Sequence, residues 1–309
     1  VDFQRRRPSA EAIAWVERAL GGGARVVACR RLTGGVTAAV HRLTVATEGG
    51  RQVVVLRQYE QAATDDPQAR AQLDQLVLRE ARVLDAVTAA KLPAPELLAA
   101  STNRAETGGP PSILMTRLRG QVSLSPADPD SWLKQIALVA ARIHDAPVAA
   151  PPFERWLDPA RLTAPASSVR PGLWQAVKEV LRQDGGSGDA CFIHRDFQHF
   201  NFLWTRGRLT GVVDWGAAAI GPPGLDLGHC RLNLAVLFGA DWAERLRRAY
   251  EAETGRSVDP WWDLHALASY SDYWQRFIPI QVDGRAPVDT DGMTARVEEV
   301  LAATLQRLR

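Results

Sequence analysis

Hydrophobic positions change their period near residue 120 of this chain. Before that point, β-rich runs at 26–32, 36–46 and 52–59 are separated by Gly34-Gly35 and Gly49-Gly50, which predicts strands joined by turns. A helix is predicted ahead of them at 9–20, with Ser9 as its N-cap and Gly21-Gly22-Gly23 as its stop. Leu73, Leu76, Val77, Val83, Leu84 and Val87 recur at close to helical spacing and predict a long helix over 67–90. "KLPAPELLAA" then returns the chain to a strand, and "TGGPP" turns it into another, "SILMTRL", which ends at Gly120.

Beyond residue 120 helical spacing dominates, at 129–146, 172–183, 242–254, 260–277 and from 290 to the end. The exception is a compact β-like pair, "ACFIH" and "RLTGVVDW". Sheet-rich and helix-rich parts in succession predict an α+β fold of two lobes, 1–118 and 119–309, with a hinge at 118–120. The chain has no internal repeat, and the Gly-Gly-Ser-Gly run at 185–188 reads as a surface loop, because helix and strand continue on either side.

Composition narrows the classes. At 309 residues, 46% apolar and 23% charged, the chain has ample material for two cores. A net charge of +2 does not suggest a nucleic-acid binder, and Arg5-Arg6-Arg7 reads as a solvated arm. Cys29, Cys191 and Cys230 are odd in number and share no C-x-x-C spacing, so neither a disulfide framework nor a structural zinc site is expected. With no apolar leader and no membrane-length apolar stretch, a cytoplasmic protein free of the membrane is predicted. The only lysines are Lys91, Lys134 and Lys178, so a cation needed in a site should be arginine.

The candidate chemistry lies in "FIHRDFQHFN". His194-Arg195-Asp196 is followed five positions after the aspartate by Asn201, and thirteen further on by Asp214, at the end of the apolar run "GVVDW". That spacing matches H-R-D-x-x-x-x-N followed by a metal-binding Asp, the arrangement that phosphoryl transfer from a nucleotide requires. Mg²⁺ wants oxygen ligands, which Asp214 and the Asn201 amide would supply. Asp196 would orient an acceptor hydroxyl and take its proton, and His194 would brace the loop. Upstream, Arg57 in "VVVLRQY" stands where a phosphate-binding cation belongs, with Glu80 of "LVLREARVL" as its helix partner. Gly34 and Gly35 in "LTGGVTAAVHRL" suit a turn whose N–H groups face phosphates, although a plain hairpin explains them equally well. Two other readings compete. A zinc hydrolase built on His194, Asp196, His199 and Asp214 leaves Asn201, Arg57 and Glu80 without a task. A nucleotide binder without catalysis has no missing residue in its favour.

These motifs resemble those of the aminoglycoside phosphotransferases and related small-molecule kinases, over about residues 25–275. The strongest part is "FIHRDFQHFNFLW" with "GRLTGVVDWGAAAIGPPGLDLGH". The resemblance implies the two-lobed protein-kinase-like fold, with Asp196 as catalytic base and Asn201 and Asp214 as Mg²⁺ ligands. It implies Asp226 as a buried brace for the catalytic loop, and "ILMTRLRG" as a hinge strand carrying Met115 and Leu118 beside the adenine of ATP or GTP. Arg195 stands where the family commonly has glycine, and Gln198-His199-Phe200 also depart from its loop pattern. Trp215 replaces the Phe of D-F-G.

The acceptor is expected to be a small molecule. In "DPWWDLHALASYSDYWQRF", Trp262, Tyr270, Tyr273 and Trp274 with Asp263 and Asp272 would line a cleft for a cationic or ring-bearing compound, and His199 would edge it. The competing reading makes these aromatics core. Asp241, Glu244, Glu251 and Glu253 would suit a cationic antibiotic or an exposed helix. Antibiotic inactivation is the leading expectation and a metabolite kinase the alternative. Only twelve residues lead from Asp214 to Asp226, which leaves no room for the long activation segment of a protein kinase.

Overall fold

The computed structural model describes residues 7–32, 38–59, 66–154, 157–183, 185, 186, 188–269 and 274–309. The chain divides into two compact units, Val1–Arg119 and Gly120–Arg309.

In the first unit, α1 (Ala10–Leu20) is capped by Ser9, whose Oγ accepts the Ala12 N–H at 3.2 Å. It stops at Gly21, where φ is 64° and a side chain would be strained. Strands β1 (Arg25–Leu32), β2 (Ala38–Thr47) and β3 (Gly50–Tyr59) precede α2 (Pro67–Ala89). After it come β4 (Leu97–Ser101), a one-turn helix α3 (Arg104–Thr107) and β5 (Ser112–Thr116). The five strands form one antiparallel sheet in the order β1-β2-β3-β5-β4. Because successive strand side chains alternate in direction, the sheet sorts its residues onto two faces. Val54, Leu56 and Leu114 join Trp15, Val16, Leu43 and Val45 in one core. Val55, Arg57 and Tyr59 turn to the opposite face, where Arg57 pairs across with Ile113 and Val55 with Met115. The Gly34-Gly35 turn lies outside the described residues.

The second unit contains α4 (Pro129–His144), α5 (Pro171–Arg182), β6 (Cys191–Ile193), β7 (Phe202–Thr205), β8 (Arg208–Val212) and β9 (Ala219–Gly221). Helices α6 (Gly224–Phe238), α7 (Ala240–Thr254), α8 (Pro260–Ala268), α9 (Trp274–Val282) and α10 (Met293–Arg307) complete it. Two expectations are corrected here. The β-like runs around the motif do not pair with each other: β6 pairs with β9, and β7 with β8. The helix expected at 260–277 is α8, capped by Asp259, and a separate α9; residues 270–273 between them are outside the described set.

The middle of this unit is α6, an element that the apolar spacing did not announce. Every residue from Gly224 to Val236 is buried, so no polar face exists to give the helix a readable period. It packs closely on α8: a methyl added at Gly228 would lie 2.5 Å from the Ala266 Cβ. Burying a helix on all sides also buries Arg231, which is met by Asp263 and Glu244. Arg307 reaches the same Asp263 carboxylate at 2.6 Å and Thr304 reaches it at 3.2 Å, so α6, α7, α8 and α10 share one polar knot inside an apolar core.

Candidate active site

The first unit holds a buried ion pair. Alternation puts Arg57 and Tyr59 on the same face of β3, and both reach Glu80 of α2. Arg57 Nη1 donates to Glu80 Oε1 at 2.9 Å, and the Tyr59 hydroxyl donates to Oε2. The Arg57 side chain is 10% exposed and that of Glu80 1%, so this is no solvated surface bridge. The guanidinium also lies 4.9 Å over the Tyr59 ring, which fixes its plane. Met115 is buried on the Arg57 side of the sheet, and Leu118 is partly buried just past β5.

In the second unit the motif leaves β6 through a strained turn. Arg195 has φ of 71°, costly for a residue with a side chain, and Asp226 of α6 holds it there. The fully buried Asp226 carboxylate accepts the His194 N–H at 2.8 Å and the Arg195 N–H at 2.7 Å. Its Oδ2 also meets His144 Nε2 at 3.2 Å, and His144 Nδ1 meets the Tyr250 hydroxyl at 2.9 Å. A carboxylate only accepts, so Nε2 carries a hydrogen and donates it to Asp226. Burial pushes the Asp226 pKa up, but the hydrogen bond and charge of His144, with His194 and its N–H, outweigh it and hold the carboxyl below its ordinary value.

His194 is itself fully buried, and its Nε2–H donates to the Val213 carbonyl at 3.1 Å. Its ring sits 4.5 Å from that of Trp215, and desolvation lowers its pKa, so it is a neutral brace between the loop and the strand end at Asp214.

The loop then brings two of the expected side chains together, Asp196 and Asn201. Asn201 Nδ2 donates to the Asp196 carbonyl and to its Oδ2, both at 2.9 Å. Gln198 Nε2 donates to Asp196 Oδ1 at 2.8 Å. The Asn201 carbonyl accepts the Val213 N–H at 3.0 Å, which sets Asp214 beside it in sequence register. Asp214 has φ of 70°, a left-handed turn that ends the strand direction. With the Asn201 amide nitrogen spent on Asp196, its oxygen is turned the other way, and a carboxylate and an amide oxygen are a hard-donor pair that fits Mg²⁺. Among the described residues no three His, Cys, Asp or Glu side chains form a group able to hold a metal by themselves. Two protein oxygens beside nucleotide phosphates need no such group. Asp196 keeps 30% of its side chain exposed, as a group that must meet a reactant requires.

Neighbours not anticipated in these roles surround this carboxylate. His229 of α6 places Nδ1 at 3.6 Å from Asp196 Oδ1, and burial pushes its pKa down to about 3, with the charge of Arg195 adding to the effect. Gln281 of α9 reaches Gln198 Oε1 at 3.4 Å. Gln198 had a weak signal, two positions after the aspartate; His144, Tyr250 and Gln281 had none, being 82, 106 and 83 positions from the groups they touch.

Among the described residues, the expected acceptor side chains do not assemble. His199 is fully buried among the rings of Trp132, Phe200 and Phe238, and desolvation pushes its pKa down to about 3. Asp263 is fully buried in the Arg231 knot, and Trp274 is 3% exposed and stacks on Trp174. Trp262 is buried as well. These are core positions, so for Trp262 and Trp274 the competing reading is the one the fold realises. Tyr270, Asp272 and Tyr273 lie outside the described residues. Glu244 and Glu251 pair with Arg247, Glu253 with Lys134, and Asp241 with Arg245.

The Phosphotransferase enzyme family matches residues 28–262 of the chain. No curated protein matches it in sequence. Similar solved structures include a Ralstonia eutropha protein assigned as an aminoglycoside phosphotransferase, at 19% identity and a TM-score of 0.61, covering 97% of this chain and 99% of that one. The aminoglycoside phosphotransferase APH(4)-Ia, as a thermostable mutant with ADP and hygromycin B, is 17% identical with a TM-score of 0.59, covering 94% of this chain and 98% of that one. A macrolide 2'-phosphotransferase from Brachybacterium faecium is 18% identical with a TM-score of 0.53, covering 94% and 97%. At these identities the likeness establishes the kinase-like fold.

Proposed function

Because the chain belongs to the Phosphotransferase enzyme family, whose members act as small-molecule kinases on hydroxyl groups, we propose that Asp196 is the base of an ATP- or GTP-dependent, Mg²⁺-requiring transfer to an antibiotic. The observation that carries the reading is the Asp196–Asn201 arrangement. A part-exposed carboxylate is fixed at 2.9 Å by the Asn201 amide nitrogen, which leaves the amide oxygen of Asn201 facing away from Asp196.

In the transfer, Asp196 takes the proton of the acceptor hydroxyl as its oxygen bonds to the γ-phosphorus, and the bond from that phosphorus to the departing nucleoside diphosphate breaks. A positioned base of this kind contributes about 10²–10⁴ in rate. Asn201 and Asp214 would hold Mg²⁺, which neutralises charge on the phosphates. Arg57, pre-oriented by Glu80 and Tyr59, is assigned to phosphate oxygens, and Met115 and Leu118 to the adenine or guanine side of the site. The Gly34-Gly35 turn is assigned to the phosphates on sequence grounds alone.

The antibiotic reading is supported by the solved structures with the same fold, one holding hygromycin B and one named for a macrolide acceptor. A specific observation favours a second reading. Asp241, Glu244, Glu251, Glu253 and Asp263 are paired with internal cations, so none of them is set aside to receive a polycation. A polyhydroxylated metabolite acceptor suits that surface better than an aminoglycoside. Transfer from labelled ATP and GTP across aminoglycosides, macrolides and common hydroxylated metabolites, with Asp196→Asn as control, tests both. Efficient labelling of an antibiotic supports the first, and labelling confined to metabolites overturns it.

A further inference from the structure

Around Asp196 the polar contacts have a direction. An ionised carboxylate only accepts, so the Gln198 amide must present its nitrogen to Asp196, as it does at 2.8 Å. That choice turns the Gln198 oxygen away, and it then needs a donor of its own, because Gln198 is 5% exposed. Gln281 supplies one, Nε2 to Oε1 at 3.4 Å, the long end of the hydrogen-bond range. Gln281 is not loose: Arg285 donates to its carbonyl and to that of Val282, closing the last turn of α9. The order Gln281 to Gln198 to Asp196 therefore admits only one amide orientation at each step.

We propose that Gln198 is a positioning residue for the catalytic base, and that Gln281 orients it, so that α9 sets the rotamer of the Asp196 carboxylate. The inference rests on the assignment of Asp196 as base. Asn201 grips Oδ2 and Gln198 grips Oδ1, so loss of the Gln198 amide removes a hydrogen bond that resists rotation of the carboxylate about its Cβ–Cγ bond. With Gln198 present both oxygens are fixed and the face toward the acceptor is defined before the acceptor arrives, which is the condition for efficient proton transfer.

The test uses the full chain and Mg·ATP with water as acceptor, followed as ADP release, so that no acceptor need be known. Gln198→Met keeps the length of the side chain and removes the donor. It should lower kcat about tenfold, the scale of one hydrogen bond to a charged group, with the KM for ATP and the melting temperature unchanged. Gln281→Met should lower kcat roughly threefold, and Gln198→Met/Gln281→Met should match Gln198→Met alone, because the second amide acts only through the first. Gln198→Glu, isosteric but repelling the carboxylate, should be worse than Gln198→Met. Wild-type kcat in Gln198→Met, or multiplicative effects in the double variant, would overturn the relay while leaving Asp196 as base. Retention of activity in Asp196→Asn would instead overturn the base assignment, and the relay with it. Side-chain amide NMR gives a readout independent of turnover. The Gln198 NH₂ protons should be separated in shift and slow to exchange, and both signatures should weaken in Gln281→Met; their persistence unchanged in that variant would equally refute the orienting role.

Discussion

Replacing Asp226 by Asn changes one atom and tests the strut on which the catalytic loop stands. The carboxylate accepts two backbone N–H groups, at 2.8 and 2.7 Å, and His144 Nε2 at 3.2 Å, with no solvent exposure. An amide has one acceptor oxygen, so its NH₂ must face one of these donors. That leaves a buried N–H or imidazole hydrogen unpaired, at about 1–3 kcal/mol, and the remaining bonds lose their charge assistance, about another 1–2 kcal/mol. The sum is roughly 2–5 kcal/mol. For a unit of this size each kcal/mol moves the melting temperature by about 2–4 °C, so a loss of roughly 4–20 °C is expected in a calorimetric scan. Activity should fall with it, since Asp226 accepts both the His194 and Arg195 N–H groups at the positive-φ turn. The variant also has a pH signature. The folded carboxyl lies below its ordinary value of 3.8, so it contributes stability above about pH 4 that is lost as pH falls through the lower, folded pKa; Asp226→Asn should lack that acid-side loss. A melting temperature within 2 °C of wild type, with full activity, would refute the strut argument.

Three further outcomes follow from buried charge. His199 and His229 stay neutral in the fold down to about pH 3, whereas the unfolded chain protonates them near 6.5. Their contribution is complete above about pH 6.5 and is lost as pH falls from there toward 3, at about 1.4 kcal/mol per unit for each; urea titrations from pH 6 to 4 should show it, and a flat profile would contradict it. Arg231→Met takes from the buried Asp263 one of its arginine partners and should cost roughly 3–5 kcal/mol, while Arg231→Met/Asp263→Leu should recover part of this; a double variant worse than the single in chemical denaturation would contradict that. Arg57→Met removes the cation assigned to phosphate and takes from Glu80 its arginine partner, so the Kd for Mg·ATP should rise by about tenfold or more, and unchanged affinity by calorimetry would remove Arg57 from the site.

What the chain disclosed on reading depended on whether a signal was local. The strands around Val54, Leu56 and Arg57 announce themselves because one face of each is apolar, and the Ser9 and Asp259 caps because capping acts within three residues. His194, Arg195, Asp196 and Asn201 stood out because one short loop must carry them all. Helix α6 stayed hidden for the opposite reason: buried on every side, it has no polar stripe, and Gly228 reads as a breaker although it is a close-packing point against Ala266. Asp263 misled in a related way. On its own helix it reads as a first-turn acid open to solvent, and its partners Arg231 and Arg307 are 32 and 44 positions away. The β6–β9 pairing likewise joins segments separated by the whole catalytic loop, which no local period can report.

The most direct test of the central claim is Asp196→Asn followed in two measurements on one sample, the Kd for Mg·ATP and the rate of phosphoryl transfer. The account predicts an unchanged Kd with transfer reduced by about 10²-fold or more, because the carboxylate acts on the acceptor and not on the nucleotide. Transfer at the wild-type rate would contradict it, as would a loss of transfer traced wholly to a loss of nucleotide binding.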